Sequence, residues 1–256
     1  MLTVTYLYCV FAGLAAGVIG GLFGVAGGII LVPFLVLALK LDQHTAQGTS
    51  LLTLAMPVVG LAAYNYYRDG NMVVAVGIAL AVGIASGGLI GSKIALGFSP
   101  RTMRRAFSGF LIVAAIYMIF KSLSATPTVA DQVELSGWIY LGCYGVGLAA
   151  GIMGGLFGIG GGIVIVPFMG LALGFSQHMA QGTSLLALSL PVAAFGAYNY
   201  HKKGNVQPKK SLALAVGLVA GAFLGSKFAL GLAPTTMQLA FAGFVILTAT
   251  YLIVKK

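Results

Sequence analysis

Residues 20–50 of this chain, GGLFGVAGGIILVPFLVLALKLDQHTAQGTS, recur without a gap as residues 154–184, GGLFGIGGGIVIVPFMGLALGFSQHMAQGTS, an offset of 134 (154 − 20). The same offset pairs Pro57 with Pro191, Tyr64-Asn65-Tyr66 with Tyr198-Asn199-Tyr200, and Gly91-Ser92-Lys93 with Gly225-Ser226-Lys227. Any fold must therefore hold one unit twice: a glycine cluster, a short apolar run with a proline, and a polar knot with one histidine. The surroundings are apolar. The chain is 59% hydrophobic and 7% charged, with mean hydropathy +1.04, whereas soluble domains carry roughly a quarter charged residues. This predicts an integral membrane protein. The apolar runs are continuous, not alternating, so the spans read as helices and not as a barrel.

The first repeat divides into five apolar segments, near 3–23, 28–41, 49–67, 72–98 and 102–120. The second has segments near 137–157, 162–175, 183–200, 206–232 and 235–254. Residues 1–121 form the first repeat, 122–136 a polar linker with Pro127, Asp131 and Glu134, and 137–256 the second repeat. Residues 1–20 lack the basic start of a signal peptide, and their pattern returns at 140–154, so they read as a retained first span. The second segment of each repeat is too short to cross alone, because a spanning helix needs about 20 residues. The glycine cluster before it or the knot after it must therefore lie at membrane depth, where irregular backbone survives only inside protein or along a polar cavity. Short, Gly/Pro-interrupted segments at matching positions in two halves point to a transporter binding site.

Charge decides the crossing number. The net charge is +10, and the basic residues sit in loops between apolar runs, as topology signals do; nucleic acid is excluded as a partner on that ground. If all five segments cross, one side receives Lys40, Lys93, Arg101, Arg104, Arg105, Lys202, Lys203, Lys209, Lys210, Lys255 and Lys256, and the other only Arg68, Lys121 and Lys227. If the first two segments make one crossing, the bias disappears. The positive-inside rule favours five crossings per half. An odd number inverts the second repeat relative to the first and puts both termini in the cytoplasm. The expected fold is an all-α, inverted-repeat helical bundle with two short, broken helices.

Within the knots, Thr49 or Ser50 is a natural N-cap for the third segment, as are Thr183 and Ser184 in the copy. A helix start offers uncapped N–H groups and a positive dipole end, which hold an anion without any charged side chain. Gln47, Gly48, Thr49 and Ser50, with Gln181, Gly182, Thr183 and Ser184, are therefore the candidate substrate ligands. Inversion would aim both helix starts at one point, suited to a small oxyanion. His44 and His178 would orient the anion or couple protons; the alternative is a loop histidine held by backbone carbonyls. Tyr64, Tyr66, Tyr67, Tyr198 and Tyr200 resemble an interfacial aromatic belt, with Asn65 and Asn199 beside it. Lys93 and Lys227 read as snorkelling side chains, with anion attraction as the sharper alternative. Asp42 pairs with Ser176, which argues against an acidic member of a symmetric ion site.

Gly24, Gly27 and Gly28, with Gly158, Gly161 and Gly162, suit a broken helix and close helix approach. Pro33, Pro167, Pro57 and Pro191 should kink or interrupt their helices. Cys9 and Cys143, also 134 apart, read as small packing residues, and no cluster of ligands for zinc exists. No paired carboxylates, nucleophile elbow or H-E-x-x-H appears, so no enzyme activity and no cofactor are expected.

The segments G-G-L-F-G-V-A-G-G at 20–28 with V-P at 32–33, and G-G-L-F-G-I-G-G-G at 154–162 with V-P at 166–167, followed by H-x-A-Q-G-T-S at 44–50 and 178–184, resemble the TauE/SafE family, the sulfite exporter or TSUP transporters. The resemblance covers both halves, although these halves are more alike than those of typical members. It implies a multi-pass permease of the bacterial inner membrane for sulfite, sulfonates such as sulfoacetate, or other small anions. A transporter working by alternating access is the expected function, with an anion channel or a non-transporting membrane scaffold as alternatives. The expected partners are the small-molecule anion, membrane lipid and a coupling proton or sodium ion; a homodimer is compatible with the sequence.

Overall fold

The computed structural model describes residues 2–103, 105, 106, 109, 137–233, 236, 237, 240 and 243. The linker, most of the fifth segment of each repeat, and Arg104, Lys121, Lys255 and Lys256 lie outside the described residues. Among the described residues the first repeat supplies α1 (Leu2–Phe23), α2 (Gly28–Leu37), α3 (Gln43–Ala55), α4 (Gly60–Arg68) and α5 (Val74–Ala95). The second supplies α6 (Gly137–Phe157), α7 (Gly162–Ala172), α8 (Gln177–Ser189), α9 (Ala193–Lys202) and α10 (Pro208–Leu230).

Helices α1, α5, α6 and α10 are long and apolar enough to cross a membrane. Small residues decide how they pair. Glycines at 13, 17 and 21 bring α1 against the backbone of α10 at Leu214, Leu218 and Ala222. Both series rise together, so the two helices run side by side in the same direction. Glycines at 147, 151 and 155 do the same for α6 against Leu80, Ile84 and Gly88 of α5. A Cβ at Gly87 would overlap the Leu148 carbonyl, so these are backbone-to-backbone seams of the small-residue kind that membrane helices use.

The third segment is two helices per repeat. The α3–α4 pair bends by 47° and the α8–α9 pair by 43°, at Pro57 and Pro191, as the missing N–H of a proline requires. Pro33 and Pro167 behave otherwise than expected: each sits inside a continuous helix, α2 or α7. Each lies at the sixth residue, in the middle of its short helix, and the helix continues past the missing proline N–H.

The short α2 and α7, of 10 and 11 residues, follow buried glycine turns. Gly24 and Gly158 have φ of +72° and +77°, and a Cβ on either would come within 2.8 Å and 2.7 Å of the Cα of Gln181 and Gln47. Only glycine meets both demands. Gly27 and Gly161, also at positive φ, are the N-caps of α2 and α7. Gly28 lies against Ile159, and Gly162 against Val25. Each glycine contact of one repeat thus returns with the roles of the halves exchanged, the mark of a pseudo-two-fold arrangement.

Candidate functional site

Helix α3 begins at Gln43, not at Thr49 or Ser50. Its N-cap is Asp42, whose carboxylate accepts the Thr45 N–H at 3.0 Å; the copy uses Ser176, whose hydroxyl accepts the Met179 N–H at 3.2 Å. Asp42 and Ser176 thus do the same work, which explains how an acid and a hydroxyl occupy equivalent positions. Burial acts to raise the Asp42 carboxyl, but the hydrogen bonds it accepts at Thr45 and His44, and the nearby His44 itself, outweigh burial and hold it below the ordinary carboxylate value.

Moving the helix start places the whole knot in regular helix. The hydroxyls expected to hold an anion are already engaged. Thr49 Oγ1 accepts the Gln207 N–H at the start of α10, and Thr183 Oγ1 accepts the Val73 N–H at the start of α5, both at 3.1 Å. Ser50 donates to the Gly158 carbonyl at 2.7 Å and Ser184 to the Gly24 carbonyl at 2.8 Å. These side chains fasten each knot to the glycine turn and the long helix of the other repeat.

The two knots do not meet. Their hydrogen bonds run to separate partners, and α3 and α8 approach each other near Leu54 and Leu188, which flank Gly160. The carboxyl-terminal halves converge and the helix starts diverge. The result is two equivalent clusters, each completed by a tyrosine of the opposite repeat.

Tyr66 and Tyr200 are those tyrosines. Both are fully buried, so the aromatic-belt reading fails for them, while Tyr64 and Tyr198 are 56% and 52% exposed as it requires. The Tyr200 hydroxyl shares its one proton between Gln47 Oε1 at 3.2 Å and the Gly155 carbonyl at 3.0 Å; the Tyr66 hydroxyl shares its own between Gln181 Oε1 at 3.1 Å and the Gly21 carbonyl at 3.3 Å. The His44 and Tyr200 ring centroids are 6.3 Å apart, and those of Tyr66 and His178 are 6.4 Å apart. Gly48 and Gly182 permit this approach, since a Cβ on either would press on the Tyr200 or Tyr66 Cβ at 2.6 Å or 2.7 Å. A tyrosine in helical phase with exposed neighbours gives no one-dimensional sign of burial; its offset from Gly48 in the fold is the signal that was missing.

Among the described residues, four buried side-chain nitrogens have no partner: Gln43 Nε2, His44 Nδ1, Gln47 Nε2 and His178 Nε2. Gln43, His44 and Gln47 are 5%, 9% and 0% exposed and share the first turns of α3, with Gln43 and Gln47 one turn apart. The Gln181 amide orientation is fixed because its Nε2 donates to the Leu22 carbonyl at 2.9 Å; Gln47, with the same tyrosine contact, keeps that orientation but leaves its Nε2 free. His44, in the first turn of α3 and not in a loop, has its Nε2 3.0 Å from the Phe98 carbonyl. Gln43 is the ligand candidate that sequence reading left out, although its spacing from Gln47 was visible.

Asn65 and Asn199 are half-buried and tie the ends of α4 and α9 to Ser226 and Ser92, at 2.8 Å and 2.9 Å. Lys93 and Lys227 are exposed, and Lys227 Nζ lies 4.6 Å above the Phe223 ring.

The profile of the family described as sulfite exporter TauE/SafE matches residues 9–252. Probable membrane transporter protein YdhB of Bacillus subtilis is 29% identical over 83% of this chain and 85% of its own length. A probable membrane transporter protein of Haemophilus influenzae is 29% identical over 97% of this chain and 98% of its own, and one of Methanocaldococcus jannaschii is 24% identical over 90% and 88%. No solved structure gives a significant match. These relatives are named as transporters and not as enzymes, and the span-length apolar helices make this a multi-pass membrane protein. With the family profile covering nearly its whole length, the chain belongs to the sulfite exporter TauE/SafE family.

Proposed function

We propose that the chain is a secondary transporter for a small sulfur-containing anion, sulfite or a short sulfonate such as sulfoacetate, working across the bacterial inner membrane by alternating access between inverted repeats. One observation carries this reading: buried hydrogen-bond donors without partners at the start of α3, on Gln43 and Gln47, beside His44. Leaving such groups unpaired costs about 1–3 kcal/mol each, a cost that a bound acceptor removes. The donors are uncharged and the Asp42 carboxylate already caps the helix start, so a compact oxyanion enters through side-chain hydrogen bonds and not through fixed positive charge or free backbone N–H groups. In this reading Gln43, Gln47 and His44 contact the anion, and Gln181 and His178 belong to the separate, equivalent cluster of the other repeat. Gly48, Thr49, Ser50, Gly182, Thr183 and Ser184 hold the helices that carry them.

Inversion has its own support. His44 reaches Phe98, just beyond α5, while Thr49 on the same helix reaches Gln207, at the start of α10. The end of α5 and the start of its repeat equivalent are thus gathered by one helix start, as antiparallel copies demand. The glycine turns, buried between the halves, and the breaks at Pro57 and Pro191 are the flexible parts such a cycle needs.

The test is flux in proteoliposomes, with sulfite and sulfoacetate set against carboxylates of matching size. The expected result is saturable, counter-flow-competent transport of the sulfur anions, lowered at least tenfold by Gln47→Ala. Flux that never saturates would make the protein a channel, and no flux of any anion would leave it a scaffold.

A further inference from the structure

The carbonyl that anchors His44 also decides what the ring offers to a ligand. A backbone carbonyl only accepts, so at 3.0 Å from Phe98 the Nε2 atom must carry the proton. In the neutral ring Nδ1 is then a bare lone pair, and it is the atom that is buried without a partner. A lone pair repels an oxyanion. The neighbouring Gln43 and Gln47 amides present N–H donors, so the site attracts an anion with two groups and repels it with the third. Protonating Nδ1 removes this conflict, and so does an anion that carries its own hydroxyl proton.

We infer that the site takes up its anion together with one proton at His44 Nδ1, supplied either by an imidazolium or by a hydroxyl of the anion. This rests on the anion site proposed above and adds the coupling to it. For an anion such as bisulfite, the O–H donates to Nδ1 and the remaining oxygens accept from the glutamine amides. For a sulfonate, which keeps no ionisable hydroxyl near neutral pH, solvent must supply the proton to the ring. The groups around His44 allow this. On its own helix start, the Asp42 carboxylate accepts the His44 backbone N–H and favours a cation nearby. From α9, Tyr200 presents its ring and a hydroxyl already engaged with Gln47 and Gly155. From the chain after α5 come the Phe98 carbonyl and, further on, the exposed Arg101 and Arg105; Lys40, before the helix, is exposed too. The copy differs, because His178 leaves Nε2 unpartnered and lacks the corresponding anchor, so the coupling is assigned to one knot.

The experiment uses the purified full chain in detergent. Methanesulfonate and sulfite are titrated by calorimetry from pH 5.5 to pH 8.5, in buffers of different ionisation enthalpy, so that protons taken up are counted directly. The expected result for methanesulfonate is uptake of one proton per anion on the alkaline side of the titration, with affinity falling about tenfold per pH unit there. His44→Gln, which retains a polar side chain of similar reach, is expected to bind methanesulfonate more weakly, with no proton uptake and a flat pH profile. Methanesulfonate binding by the wild type with no proton uptake at any pH overturns the inference and leaves the anion site standing. An unchanged pH profile in His44→Gln overturns it as well, by placing the proton elsewhere. Absence of binding by both probes removes the site and the inference together. If His44→Gln does not fold, the wild-type proton count alone decides.

Discussion

Tyr66 and Tyr200 separate a packing argument from a pattern argument at the scale of single residues. Each hydroxyl is buried between a glutamine oxygen and a glycine carbonyl. Tyr200→Phe therefore removes the one donor that these two buried acceptors share and is expected to destabilise the protein by about 1–3 kcal/mol. Tyr198→Phe, at an exposed ring, is expected to stay within about 0.5 kcal/mol. Thermal unfolding in a mild detergent measures both, and equal midpoints for the two variants would return Tyr200 to the aromatic belt. Tyr200→Phe should also loosen Gln47, whose amide its hydroxyl contacts, and so weaken anion binding beyond the change in stability. The knots themselves were legible from repetition alone. Their internal division of labour was not, because Thr49 and Ser50 make an equally good N-cap or an equally good tertiary clamp. Only the positions of Gln207 and Gly158, more than 100 residues away, distinguish the two.

The caps and the seams carry the argument for whole elements. Asp42 caps α3 as Ser176 caps α8, so Asp42→Ser is expected to cost little, while Asp42→Ala costs about 1 kcal/mol. The folded carboxyl lies below its ordinary value, so its contribution is fully present above that ordinary value, about 3.9, and fades as pH falls through the lowered one. Asp42→Ser should remove this acid-dependent part of the stability, which thermal unfolding between pH 7 and pH 3 reads directly. The seams give a sharper contrast. A Cβ on Gly88 would find its nearest neighbour at 3.6 Å, ordinary contact, whereas one on the adjacent Gly87 would overlap the Leu148 carbonyl. Gly88→Ala is therefore expected to be neutral or stabilising by up to about 1 kcal/mol through helix propensity, as the alanine at the equivalent position 222 already suggests. Gly87→Ala should force α5 and α6 apart and lower the unfolding midpoint by several degrees. Equal effects would mean that the two helices do not meet on the face that carries Gly87. Segment lengths and the prolines at 57 and 191 foretold most of these elements, since both follow from backbone chemistry. The uninterrupted passage of α2 and α7 through Pro33 and Pro167 was not foretold, because whether a proline breaks a helix or is carried within it depends on the packing around it, which the sequence does not display.

For the whole molecule, the decisive question is whether the halves enter the membrane from opposite sides. Two independent lines point the same way. The charges do so when each repeat crosses five times, with Arg101 and Arg105 after α5 and Lys202, Lys203, Lys209 and Lys210 around the start of α10 on one face. The hydrogen bonds do so because one helix start, that of α3, touches both of these regions, at Phe98 and at Gln207. Charge counting uses no geometry and the hydrogen bonds use no membrane, so their agreement is not circular. Arg68 and Lys202 occupy equivalent positions at the ends of α4 and α9, and inversion sends them to opposite faces. Cys9 and Cys143 are buried and can stay as a silent background. In right-side-out vesicles, a membrane-impermeant thiol reagent is expected to label Arg68→Cys and to spare Lys202→Cys until the membrane is opened. Labelling of both from one side would make the crossing number even, dissolve the inversion, and leave the two clusters as equivalent sites on one face with no alternation between them.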